Sequence, residues 1–501
     1  MKQTLIAVIL LFVASQMLAQ TDFETYKRQQ QQKLKEYNQQ KRNFKAYSQQ
    51  QREEFEAYRA KLNAEYAEFM SKAWTAYKSS KAIPAPECPE PLKPVTVDPT
   101  ETESMAIFKE ILMASISSAE KPSEPVVPAI PLPEVKPVVM SVPGHSFTFY
   151  GTPCRVGLTY EHRFALKSAK ERDVANGWRT LSDERYLPIV AQCMDYRTEL
   201  GLCDWGYVRF VQELTESFFA ETGRNEAVLM QQYILVQSGY KVRMARTTTD
   251  KLILLLPMTE DIYRYIYVNI KGVHYYIMAD LKGGDEFYVL DREFPEEQQF
   301  SLYIGSAPKL ASSYQTRRTL TSRKKMTASV AINKNLIDFY NDYPQSAEWP
   351  YYAAASLSPA VKQALYPSLE RQIEGMSKTE AANALLNFVQ TAFDYQTDGE
   401  QFGAERALFA DESFYYPYCD CEDRSILYAN LVHDLLGLDV VLLHYPGHLA
   451  TAVHFPETIS GNYVSLNGQR YLVCDPTYIG ADIGMAMPKY VNSKVEVKAI
   501  W

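Results

Sequence analysis

Three short stretches near the end of this 501-residue chain carry side chains suited to covalent chemistry. Cys421 lies in Asp420-Cys421-Glu422-Asp423-Arg424-Ser425, His448 closes Tyr445-Pro446-Gly447-His448, and Asp475 lies in Cys474-Asp475-Pro476-Thr477-Tyr478. A thiol, an imidazole and a carboxylate are the parts of nucleophilic acyl transfer. The thiolate attacks an amide carbonyl, the imidazole takes the thiol proton and returns it to the leaving amine, and the carboxylate orients the imidazole. The product is a thioester that water or a second amine resolves.

Those side chains need elements to hold them. Ile426, Leu427, Leu431 and Leu435 recur at helical spacing up to Gly437, which predicts a helix beginning at Cys421. A helix start favours a thiolate, and Glu422 and Asp423 suit the first turn for the same electrostatic reason. Pro446-Gly447 predicts a turn that sets His448 at the start of a strand. Asn467-Gly468 predicts a hairpin, after which Tyr471, Val473 and Asp475 share one face of a strand. His433, His444, His448 and His454 lie near Cys419 and Cys421 in sequence, as zinc ligands would. Pro446 and Gly447 break the helix that His444 and His448 would need to share a metal, so no metal and no cofactor are expected. Cys419 reads as a packed thiol, with Cys419–Cys421 and Cys419–Cys474 bridges as the alternatives.

In this order the three motifs, spanning about residues 380–490, resemble the transglutaminase-like branch of the papain-fold cysteine enzymes. The resemblance implies Cys421 as nucleophile, His448 as base and Asp475 as its orienting carboxylate, on an α+β papain-like fold. Where many relatives have glycine two residues before the nucleophile, this chain has Cys419. The activity implied is cysteine-dependent hydrolysis of an amide or peptide, with a protein or peptide as substrate. The alternatives are a catalytically inactive scaffold or binding protein and a protein-crosslinking transglutaminase.

The globular part reads as two copies of one unit. Leu427 to Phe455 aligns without a gap on Leu229 to Pro257, as a helix ending at Gly437 or Gly239 followed by two strands. Upstream, Phe393-Asp394-Tyr395 and Phe402-Gly403 mirror Met194-Asp195-Tyr196 and Trp205-Gly206. Downstream, Asn467-Gly468 mirrors Lys271-Gly272. At the gapless offset Cys421 falls on Gly223 and His448 on Asp250, with Asp475 near Ala279 and Asp280. Residues 146–310 are therefore expected to form a degenerate transglutaminase-like domain, or an unrelated α+β domain, ahead of a transglutaminase-like domain at 311–501. The basic run Arg317, Arg318, Arg323, Lys324 and Lys325 reads as an exposed joining loop.

The remainder is address and spacing. Lys2 followed by the apolar run Leu5–Ala14 marks residues 1–19 as a cleaved signal peptide, which predicts a periplasmic or secreted location at a bacterial envelope and no membrane-spanning segment afterwards. Residues 20–80 read as a long helical arm whose aromatic pairs recur about every eleven residues. That stripe suits a coiled coil by self-association, packing on the protein's own body, or envelope contact. Residues 81–145 hold 13 of the 27 prolines and read as an extended linker, with one short amphipathic helix at Glu103–Ser117. The composition, 46 % apolar and 22 % charged, excludes a wholly disordered chain, and the net charge of -8 argues against nucleic acid as a partner. Seven cysteines leave one thiol unpaired in an oxidising compartment even if the others bridge.

Overall fold

In the computed structural model, residues 53–84, 94–97, 109–118, 143–220, 223–314 and 317–501 are described. The stretch read as a signal peptide and most of the expected arm lie outside them. The end of the arm is a helix, α1 (residues 53–70). It stops before the last aromatic pair, because Trp74 caps it by donating its Nε1–H to Met70 O and the chain then becomes extended as β1 (Thr75–Lys78). The helical reading to residue 80 is thus corrected. From Tyr66 onward the aromatics pack on the protein's own body, with the Tyr66 ring 4.7 Å from Trp178 and 5.6 Å from Phe294.

The linker is also more structured than its prolines suggest. Where a short helix is expected at Glu103–Ser117, the described residues form β2 (Lys109–Glu110) and β3 (Met113–Ser118). Both are edge strands, running parallel to strands of the last sheet. Ile111, between them, is buried in that sheet's core, so tertiary pairing overrides the local helical pattern.

Two sheets follow. The first half contributes α2 (Asp204–Phe219), α3 (Arg224–Gln237), β4 (Arg243–Thr247), β5 (Leu252–Pro257), β6 (Tyr267–Ile270), β7 (Val273–Ile277) and β8 (Glu286–Leu290). A hairpin of β9 (Arg318–Thr321) and β10 (Thr327–Val330) occupies the region read as a basic loop. Arg318 is anchored there by the carbonyls of Ser413, Tyr416 and Pro417. The second half contributes α4 (Lys378–Ala392), α5 (Cys421–Leu436), β11 (Val440–Tyr445), β12 (His448–His454), β13 (Asn462–Leu466), β14 (Gln469–Cys474) and β15 (Val495–Ala499). The fold is mixed α+β. No helix among the described residues is long and apolar enough to cross a membrane.

The sheets share one strand order. The first runs β1-β8-β4-β5-β7-β6 and the second β3-β15-β11-β12-β14-β13-β2, so five consecutive strands correspond, while the first sheet gains β1 from the end of the arm and the second gains β2 and β3 from the proline-rich region. Both contain a two-residue hairpin with positive φ at both positions, 54° and 86° at Lys271-Gly272 and 51° and 79° at Asn467-Gly468. Counting outward from those turns, Tyr471 matches Tyr275, Ala450 matches Ile253 and Leu443 matches Ala245, and all six residues lie in the two sheets' cores. The match slips by one residue between successive strands. Tyr471 pairs with His454, whereas Tyr275 pairs with Pro257, so His448 corresponds to Lys251 rather than Asp250, and Asp475 to Ala279. The upstream likeness does not carry over to structure. Met194-Asp195-Tyr196 lies inside the helix Leu187–Glu199, whereas Phe393-Asp394-Tyr395 follows the end of α4.

Candidate functional site

Cys421 is the first residue of α5, which starts where the extended Asp420 gives up its backbone N–H to Asp423 Oδ2 at 3.2 Å. The other oxygen of Asp423 accepts from the Leu408 N–H at 2.8 Å, tying the preceding segment to the helix start. Asp423 is thus the helix-start residue its position suggests. One turn on, Ser425 Oγ donates to Leu449 O at 2.9 Å, which holds the start of α5 against the residue after His448.

His448 opens β12 because Tyr445 and His448 pair across a two-residue turn in which Gly447 takes φ 73°. Its Nε2 lies 2.8 Å from Asp475 Oδ2, and both side chains are buried, at 0 % and 3 % exposure. Asp475 Oδ1 accepts from the backbone N–H groups of Thr477 and Tyr478, at 2.9 and 3.2 Å, which fixes the carboxylate. The imidazole stacks on Tyr490, with ring centres 5.3 Å apart and planes 8° apart, and Tyr490 in turn stacks on Tyr445. The Nδ1 atom of His448 is buried and has no hydrogen-bond partner.

A second set of bonds joins the helix start to the end of β14. Arg424 donates to Gln390 O and Phe393 O, at 3.2 and 2.8 Å. Gln390 Nε2 donates to the carbonyls of Asp475, Tyr478 and Ala481. Sequence reasoning missed Gln390 and Tyr490, since neither lies in a motif and only tertiary packing brings them to the site.

The thiol departs from expectation. The hydrogen bond described for Cys421 Sγ runs to Glu422 Oε2 at 3.1 Å, not to His448. Burial, and after it the charges of Glu422 and Asp420, push the Cys421 thiol well above its ordinary value, while the Leu449 backbone N–H opposes them. The favourable field of a helix start is outweighed by two carboxylates in a dry environment. Glu422, read from sequence as an ordinary first-turn acid, is instead 2 % exposed and in contact with the Cys421 thiol.

Glu422 belongs to an acidic group with the buried Asp398, Asp420 and Asp423 and the half-buried Glu405. Oxygens of Asp398, Glu405 and Glu422 lie within 4.8 Å of one another, as do those of Asp398, Asp420 and Asp423. That is the span of two bonds of about 2.4 Å to a hard cation, so these are the residues able to hold a metal. Burial first, then the neighbouring carboxylates, push Asp398 up to about 10 and hold Asp420 well above the usual carboxylate range. The histidines weighed as zinc ligands disperse: His444 bonds Glu496, His454 bonds Arg470 O, and His433 stacks on Trp501. Cys154, Cys193, Cys203, Cys419, Cys421 and Cys474 are all free thiols, which replaces both bridges considered for Cys419. Cys88 lies outside the described residues.

The first half lacks these groups. Gly223, Lys251 and Ala279 stand where the second half has Cys421, His448 and Asp475. No protein-family model, curated protein or solved structure matches the chain.

Proposed function

We propose that the second half is a transglutaminase-like cysteine hydrolase, exported to the periplasm or beyond, that cleaves an amide or peptide bond through Cys421, His448 and Asp475. The observation that carries this reading is the buried bond between His448 Nε2 and Asp475 Oδ2, with Nδ1 left unpaired beside the start of α5. In the reaction Nδ1 accepts the Cys421 proton as Sγ attacks the carbonyl carbon, and the tetrahedral oxyanion meets backbone N–H groups of the first turn, which have no partner within the helix. The imidazolium then protonates the leaving amine, and a thioester remains on Cys421. Water, activated by the same Nδ1, adds to the thioester and releases the acid. Hydrolysis is preferred to crosslinking because water is the default acceptor and nothing in the sequence indicates a dedicated amine site.

Attack requires Cys421 to leave Glu422 and turn toward His448. Cys421 and His448 are each only 3 % exposed, so the cover that includes Tyr490 must also open to admit substrate. These two features favour the second reading, a binding protein that keeps the fold without turnover. Cleavage of a peptide library by the full chain, run beside Cys421→Ala, separates them. The hydrolase reading predicts products that vanish in the variant, and equal, background-level cleavage by both proteins contradicts it.

A further inference from the structure

The first half has a cleft of about 480 Å³ beside its counterpart of the triad, lined by the start of α3, by β5 and by Ala279 and Asp280. This is within the size range of small-ligand sites. Its lining includes the apolar Val228, Leu254 and Ile277 and three arginines, Arg209, Arg224 and Arg264. Two of these arginines occupy positions that cost stability. Arg224 is the first residue of α3, where a cation opposes the helix dipole. Arg264 adopts φ 69°, a left-handed conformation that non-glycine residues rarely hold. Such costs persist where function requires the placement. A third observation concerns Gln231, only 6 % exposed, which lines the cleft with a buried Nε2 that has no hydrogen-bond partner. Acceptors line it as well, but no salt bridge among the described residues engages Arg224 or Arg264. Arg209 is engaged by Asp342 at 3.1 Å and by Gln212 at 2.7 Å, and Glu216 and Asp280 also line the cleft, so Arg224 and Arg264 are its arginines outside an ion pair.

We propose that this cleft is a carboxylate-binding subsite for an acidic peptide segment. The guanidinium groups of Arg224 and Arg264 receive the carboxylate, and the apolar floor takes the neighbouring side chain. Arg264 also donates to Glu405 O at 2.8 Å, so the rim of the cleft is fastened to the segment that wraps the Cys421 helix. A peptide held there is presented to the second half. That last step alone rests on the hydrolase reading; binding does not.

The test uses the full chain with Cys421→Ala and one fluorescent peptide in three forms: acidic with a free C-terminus, the same with a C-terminal amide, and one with Asp and Glu replaced by Asn and Gln. The expected result is binding at least tenfold tighter for a carboxylate-bearing form, weakening as salt rises and lost in Arg224→Glu and Arg264→Ala. The form that loses affinity shows whether a terminal or a side-chain carboxylate is read. Equal affinity for all three forms, or binding unchanged in both variants, overturns the proposal. Arg224 is exposed, so Arg224→Glu keeps the fold testable, and salt dependence in the parent chain gives an independent readout. Because the nucleophile is absent, a parent enzyme without turnover would remove the hydrolase reading and leave this subsite standing.

Discussion

The two sheets of this protein share a strand order, a turn and a matched set of core positions, yet they treat the N-terminus of the central helix differently. In the first half α2 runs almost directly into α3, and the space beside the helix start is an open cleft. In the second, residues 393–420 wrap the start of α5 and bury Asp398, Asp420, Glu422 and Asp423 around Cys421. The hairpins differ as well. Tyr445 and His448 pair across Pro446-Gly447, while the corresponding turn of the first half, after Arg246, is longer. The sheet is thus a common frame, and chemistry depends on what surrounds the start of one helix and the start of one strand.

The largest contrast should be in activity. Cys421→Ala is expected to reduce amide hydrolysis by roughly a thousandfold or more, whereas Lys251→Ala, at the first-half counterpart of His448, should change kcat/KM less than about twofold. Asp475→Asn should lower kcat by about a hundredfold or more with the fold intact, because asparagine can still accept from Thr477 and Tyr478. Next comes a stability difference. Arg243, 1 % exposed, pairs with Glu297 through two bonds of 2.6 and 3.0 Å in the first sheet, at the position of Val441 in the second. Arg243→Ala leaves a buried carboxylate unpaired and should cost about 3–5 kcal/mol in urea unfolding, more than Val441→Ala.

A pH effect should mark the second half. Burial pushes Asp411 up to about 6 against its Ser358 hydrogen bonds, and Glu412 up to about 7 against Arg406. Both bind their protons more tightly folded than unfolded. Their contribution is therefore complete below about pH 4 and is lost as pH rises through about 7, at about 3 kcal/mol each. Unfolding free energies at pH 4.5 and 8 should converge in Asp411→Asn relative to the parent. The smallest effect should be symmetric. Gly468→Ala and Gly272→Ala each force alanine into a positive-φ turn and should cost about 1 kcal/mol alike, and a marked inequality would break the equivalence of the hairpins.

Much of this frame was legible from local pattern. The α5 helix, the Pro446-Gly447 and Asn467-Gly468 turns and the shared face of Tyr471, Val473 and Asp475 follow from short-range spacing, and each is present. The parts that were not legible depend on distant partners. Thr75–Lys78 and Met113–Ser118 become strands only because β8 and β15 offer free edges hundreds of residues away. A gapless alignment sets Asp250 opposite His448 because it cannot register a slip between strands. The burial of Glu422 against Cys421 arises from the wrapping segment, and nothing in the local sequence distinguishes that glutamate from any other first-turn acid.

The central claim is that Cys421 reacts through His448, and the rate of its alkylation measures this directly. Burial and Glu422 raise the thiol in the resting arrangement, so fast labelling reports its turn to His448: iodoacetamide, with peptide mapping across pH 5–9, should modify Cys421 faster than in the unfolded chain and ahead of the other five described thiols. The same measurement on His448→Ala should show that advantage lost by about a hundredfold. Labelling of Cys421 no faster than in the unfolded chain, or undiminished in His448→Ala, would contradict the account.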